Sequence, residues 1–155
     1  METKKIRKIY ILLITGMLIL MLGGCASMVK NQTGLQDGAF LPCPDSPNCV
    51  SSMTEDPDHS IDPISYADMT REEAILLLTK VIELEDNSII TFTEDSYIHA
   101  EFRSSFFRFV DDVEFFFPQD EQIIHVKSAS RVGYSDFGVN RKRVEHLREV
   151  FHAFE

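Results

Sequence analysis

The sequence predicts an α+β domain: a four-stranded, largely antiparallel sheet packed on one face by two helices and preceded by an irregular, proline-rich segment. Three observations predict it. Apolar residues recur at helical spacing after Thr70 and again from Val144. Between those stretches the pattern changes to alternation over four β-rich segments with short polar breaks. Five of the six prolines fall between Phe40 and Tyr66, where they predict an irregular, extended backbone. At 155 residues, 44% apolar and 26% charged, the chain suits one domain with a core of its own.

The first residues read as an export signal. Lys4, Lys5, Arg7 and Lys8 precede an apolar run from Ile9 to Leu22, broken only by Tyr10, Thr15 and Gly16. The run is shorter than the roughly 20 residues that span a bilayer core. It ends at Leu22-Gly23-Gly24-Cys25, which is similar to a lipobox, so residues 1–24 are expected to be a lipoprotein signal peptide and Cys25 the lipid acceptor. Each buried methylene contributes about 0.8 kcal/mol, so two acyl chains hold a protein stably at a membrane. Residues 25–39 are polar, small and aperiodic and are expected to form the lipidated Cys and a tether, leaving 40–155 as the domain.

Within the domain, Thr70 and Glu73 match a capping box. Ala74, Leu77, Leu78, Val81 and Ile82 follow at helical spacing, predicting a helix over 71–84. Strands are predicted at 88–93, 97–103, 106–117 and 122–128 as an antiparallel meander. In the second, Ile98, Ala100 and Phe102 oppose Tyr97, His99, Glu101 and Arg103; in the third, Phe107, Phe109, Val113, Phe115 and Phe117 oppose Arg108, Asp112, Glu114 and Phe116. One face should be core and the other charged and solvated. A closing helix carries Val144, Leu147, Phe151 and Phe154 as its apolar stripe.

Three stretches are recognisable as words: Cys43-Pro44-Asp45-Ser46-Pro47-Asn48-Cys49-Val50-Ser51-Ser52, Phe109-Val110-Asp111-Asp112-Val113-Glu114-Phe115, and Ser128-Ala129-Ser130-Arg131 continuing through Gly133-Tyr134-Ser135-Asp136-Phe137-Gly138-Val139-Asn140-Arg141. From about Leu41 to Phe151 the chain resembles the family filed as domain of unknown function 1499. That resemblance implies no established activity, substrate or catalytic residue.

Once Cys25 is acylated, Cys43 and Cys49 are the remaining cysteines, and export would place them outside the reducing cytoplasm. A disulfide is the plain reading. Half of a metal site or two free thiols would also account for the pair, whereas a redox pair usually has two intervening residues rather than five. No metal-ligand spacing, nucleophile elbow or phosphate loop is present, so no metal and no cofactor are expected.

His99 and Glu101 are candidate acid–base groups, set beside Arg103, Arg108, Asp112, Glu114, His125 and Lys127 on one sheet face. Ordinary cross-strand ion pairs account for the same residues. The closing helix has Asp136, Gly138 and Asn140 at its entry, yet Arg141, Lys142 and Arg143 in its first turn, the sign of charge that the helix dipole disfavours there. Compensation must come from Asp111, Asp112 and Glu114 as an internal network, or from an anionic ligand held by Arg131, Arg141 and Arg143.

The net charge of −10 becomes −13 without residues 1–24, a balance that repels polyphosphate and argues against nucleic acid as a partner. The expectation is a lipid-anchored protein on the extracytoplasmic side of the cell envelope, whose partners are the membrane through the Cys25 lipid and either an envelope protein or a small anionic ligand. It would act as a non-enzymatic binding or structural component. The rival is a hydrolase acting on an anionic envelope substrate, with Arg131 and Arg141 binding the anion and Asp112, Glu114 or His99 as acid or base. A docking surface at Phe40–Val50 is a third reading.

Overall fold

The computed structural model describes residues 33–66, 68–105 and 108–155. The expected signal and Cys25 lie outside them. Eight strands and two helices are described: β1 (Leu35–Gln36), β2 (Ala39–Phe40), β3 (Cys49–Ser51), β4 (Ile64–Ser65), α1 (Arg71–Glu83), β5 (Ser88–Glu94), β6 (Tyr97–Arg103), β7 (Val110–Phe116), β8 (Ile123–Ser130) and α2 (Val139–Ala153). β5 to β8 form the antiparallel meander that alternation predicted.

The sheet has six strands, not four. β8 is long enough to take β7 on one edge and both β3 and β4 on the other, Cys49 lying opposite Ala129 and Ile64 opposite Ile124. The proline-rich segment thus supplies two short edge strands. Proline cannot donate to a ladder, and both strands fit in proline-free stretches of that segment. Two arginines of α2 hold what lies between: Arg141 donates to the carbonyl of Ser60 at 2.7 Å, and Arg148 donates to those of Pro63 and Asp62.

Both helices cover one face of the sheet. α1 opens with the expected capping box, Thr70 Oγ1 accepting from Glu73 N while Thr70 N donates to the Glu73 carboxylate. Ala74, Leu78, Val81 and Ile82 from α1 and Val144, Leu147 and Phe151 from α2 close over Ile98, Ala100, Phe102, Val113, Phe115, Phe117, Ile124 and Val126. Two apolar assignments change. Phe154 lies past the last turn of α2 and is exposed, and Phe109 is half exposed because β7 starts at Val110, after Arg108 turns the chain with a left-handed φ of 54°. Phe106 and Phe107 lie outside the described residues.

The opposite sheet face departs most from expectation. Rather than being solvated, Asp112, Glu114 and Lys127 are buried. Residues 34–40, expected at the end of the tether, supply part of the cover: β1 and β2 form a hairpin, and Gly34 N donates to Glu114 Oε1 at 2.6 Å. The two-residue turn is Asp37-Gly38, with φ of 53° and 80°, the left-handed pair that a hairpin of this length requires.

Candidate functional site

The three recognisable stretches are far apart in sequence and meet at one end of the sheet. β3 and the turn before it bring Asn48 and Cys49; the start of β7 brings Asp111 and Asp112; the end of β8 brings Ser128, Ser130 and Arg131; the first turn of α2 brings Asn140 and Arg143. Cys43 and Cys49 are joined by a disulfide, which constrains the loop entering β3.

On the helix side of the sheet, Asn140 is the hub. Its Nδ2 lies within hydrogen-bond distance of Asn48 O at 3.0 Å, Ser130 Oγ at 2.9 Å and Asp136 Oδ2 at 2.8 Å; its Oδ1 accepts from Ser128 Oγ and from Arg143 Nη1. Asn48 O also accepts from Ser130 N, and Asn48 Nδ2 donates to Gly133 O. Arg143 then reaches Asp111 at 2.6 Å and lies over the Phe102 ring. The cation in the first turn of α2 is therefore answered by a sheet carboxylate rather than by the helix itself. Asp136 does the capping that Gly138 cannot, accepting from Gly138 N and Asn140 N.

On the other face, Arg131 forks onto Asp112, with Nε to Oδ2 at 2.9 Å and Nη2 to Oδ1 at 2.7 Å, and also reaches Glu101. His99 Nε2 lies 2.9 Å from Asp112 Oδ1. Burial pushes the Asp112 carboxyl up, but the hydrogen bonds from His99 and Arg131 outweigh it and hold the group below the usual carboxylate range. The Arg131 hydrogen bond likewise holds Glu101 low. Behind His99 stands Thr91, whose Oγ1 is 2.7 Å from Nδ1. Thr91 is the extra residue where the β5–β6 register shifts between Ile90 and Phe92, a bulge that re-aims its side chain toward the ring.

Glu114 belongs to a separate group. It accepts from Tyr97 Oη at 2.7 Å and from Gly34 N, and pairs with Lys127 at 3.2 Å. Burial, and then the Glu114 charge, push the Tyr97 phenol well above its ordinary pKa. Arg141, expected beside these acids, instead holds backbone carbonyls of Ser60 and Asp58. The expected set is therefore divided: Arg131, Asp112, Glu101 and His99 form one cluster, Arg143 and Asp111 another, Glu114 with Lys127 a third.

Sequence reasoning missed the Asn48–Asn140 bond, the Tyr97–Glu114–Lys127 group and Thr91. Two of these had a signal. Asn140, Val144, Leu147 and Phe151 recur at helical spacing, so Asn140 sits on the buried stripe and needs partners. Asp37-Gly38 marks the hairpin over Glu114.

The described surface is grooved elsewhere. A depression of about 610 Å³ between the helices is lined by Leu77, Lys80, Val81, Glu83, Leu84 and Phe154. Among the described residues no cluster of His, Cys, Asp or Glu is arranged to hold a metal ion, and no helix is long and apolar enough to cross a membrane.

The chain matches the family model described as a protein of unknown function (DUF1499) over residues 40–151. No curated protein matches the chain, and no solved structure does.

Proposed function

The chain belongs to the DUF1499 family, and from that premise we propose that it is a lipid-anchored protein of the cell envelope, acylated at Cys25, whose domain serves as a non-enzymatic structural or binding component. One observation carries the non-enzymatic part: the three acids of the second motif, Asp111, Asp112 and Glu114, are each paired with a cation of the chain. Asp112 is taken by Arg131 and His99, Asp111 by Arg143, and Glu114 by Lys127, Tyr97 and Gly34. A site for an anionic substrate keeps its cations available for the substrate. Here burial and pairing give those groups the role of fixing the sheet end, β3 and α2 against each other. The anchor is supported by the basic start, the apolar run and the Leu22-Gly23-Gly24-Cys25 sequence.

Two measurements test the reading. Metabolic labelling with an alkyne fatty acid should mark the chain and lose its signal in Cys25→Ser. A thermal-unfolding screen against inorganic phosphate, sulfate and sugar phosphates should leave the wild type unshifted, while Arg131→Ala and Arg143→Ala melt lower with or without them. A saturable rise in melting temperature that disappears in Arg131→Ala would sink the purely structural role and assign Arg131 to an anion-binding site.

The hydrolase alternative draws on one feature, the Thr91–His99–Asp112 relay. With His99 Nε2–H donating to Asp112, Nδ1 is left to accept from the Thr91 hydroxyl, the tautomer that a hydroxyl nucleophile needs. Thr91→Ala and His99→Gln would abolish hydrolysis of a chromogenic ester under that alternative; on the structural reading neither changes a rate that is no higher than buffer alone.

A further inference from the structure

The loop from Val132 to Val139 exposes four large apolar side chains in eight residues: Val132, Tyr134, Phe137 and Val139, with Tyr134 at 76% and Phe137 at 90% of full exposure. Its backbone is held at several points. Gly133 O is bonded by Asn48, Asp136 accepts from Gly138 N and Asn140 N, Val139 N donates to Asp136 O, and Phe137 N donates to Ser135 Oγ. Phe137 is kept in the left-handed region, φ 56°, which is unfavourable for a residue with a side chain. The fold therefore fixes a conformation that turns Phe137 into water and gains no core packing from it.

The charge around this loop is opposite to that of the chain. Between Arg131 and Arg143 there are four cations and one acid in a protein of net charge −10. Arg131 and Arg143 are occupied by sheet carboxylates, Arg141 by the carbonyls of Ser60 and Asp58, and Asp136 by loop amides, while Lys142 is exposed. The helix groove has the reverse balance, with Glu83 beside Lys80 and Asp68, Glu73 and Glu155 adjoining.

Position favours the same loop. Glu114, which holds Gly34, and Asp112, which holds Arg131, are two places apart on one face of β7, about 7 Å. The chain leading back to Cys25 therefore enters the domain beside the root of the loop, on the face away from the helices and their groove. Only Ala26 to Gln32 separate Cys25 from Thr33, a reach of at most about 29 Å, against a diameter of roughly 35 Å for a domain of this size. An anchored domain would stay within one tether length of the headgroups, so that its surface meets them often.

We propose that the Val132–Val139 loop is a membrane-contact surface, with Tyr134 and Phe137 seated in the interfacial layer of an anionic bilayer and Lys142 toward lipid phosphates. Amphipathic and aromatic side chains favour that layer. The tether raises the local concentration of bilayer, so a contact too weak to recruit a free protein suffices to orient an anchored one. The inference rests on the Cys25 anchor.

The chain contains no tryptophan, so one substitution makes a reporter. Phe137→Trp and Phe154→Trp lie at opposite ends of α2, about 22 Å apart. Each acylated protein, purified from membranes, is reconstituted into vesicles of phosphatidylcholine with phosphatidylglycerol, with and without bromine on the acyl chains. The expected result is blue-shifted emission from Phe137→Trp that brominated lipid quenches, water-like unquenched emission from Phe154→Trp, and a smaller shift when phosphatidylglycerol is omitted. Water-like emission from Phe137→Trp in protein that floats with the vesicles overturns the proposal and leaves the anchor standing. A blue shift without quenching by bromine also overturns it, because the loop is then covered by protein and not by lipid. Protein that does not float refutes the anchor, and this inference with it.

Discussion

The Arg131 guanidinium forks onto the Asp112 carboxylate, 2.9 and 2.7 Å away, tying the residue that follows β8 to the third residue of β7. Removing it leaves a buried carboxylate with His99 alone. A fully buried pair broken on one side costs roughly 3–5 kcal/mol; because this guanidinium is 38% exposed, Arg131→Ala should cost about 2 kcal/mol in denaturant unfolding at neutral pH. The pH dependence has a definite sign. Carboxyls held low in the fold add stability above their unfolded pKa, about 4, and lose it as pH falls through the lower folded values. The gap between wild type and Arg131→Ala should therefore be widest at neutral pH and close in acid. A gap that stays constant into strong acid would mean that the pair is not the source.

Glu114 and Lys127 make a pair whose worth a double-mutant cycle can isolate. Lys127→Met alone leaves Glu114 buried without its cation and should cost about 3 kcal/mol. Adding Glu114→Gln keeps an acceptor for Tyr97 and Gly34 and should recover most of that loss. Additive effects of the two substitutions would refute the coupling.

Asn140 has no exposed surface and links Asn48, Ser128, Ser130, Asp136 and Arg143. Asn140→Ala strands several of these groups and should lower stability by about 3 kcal/mol. Amide exchange at Ser130 N, which is bonded to Asn48 O, should accelerate by more than at core amides of α1. Equal acceleration at both places would place the loss in global stability rather than at this joint.

His125 stacks on Phe116 and meets Ser52 Oγ at 3.1 Å, and its burial pushes the imidazole pKa down. The unfolded chain therefore takes up a proton at a higher pH than the fold does. Stability is complete above the unfolded value, near 6.5, and declines as pH falls toward the folded one. His125→Gln should flatten the stability profile between about pH 7 and 5. An unchanged slope, read by urea unfolding across that window, would assign the decline to other groups.

The helices and the meander are legible in the sequence because each element has one apolar face whose period is visible, as in Ile98, Ala100 and Phe102. β3 and β4 are not. At three and two residues they are too short to carry a period, and β8 rather than their own sequence provides the ladder. The charged sheet face misleads because alternation shows which side chains share a face and not what lies over it. Asp112 and Glu114 look solvated in sequence, and only the hairpin from Leu35 to Phe40, together with Arg131 arriving from the end of β8, reveals their burial. The acids that answer Arg131 and Arg143 are legible as a group, since β7 concentrates them; Arg141 is not separable from its neighbours, because its carbonyl partners leave no mark in side-chain chemistry.

The Asn48–Asn140 bond joins residues 92 apart, fastening the first motif to the last helix. That distance sets an order of assembly. A chain that emerges amino-terminus first, from a ribosome or through a membrane pore, presents β3 long before α2 exists to receive it, so the joint must wait until nearly the whole domain has been delivered. Lateness of this kind keeps the polypeptide threadable in transit, and closure of the final helix becomes the event that commits it to its folded form.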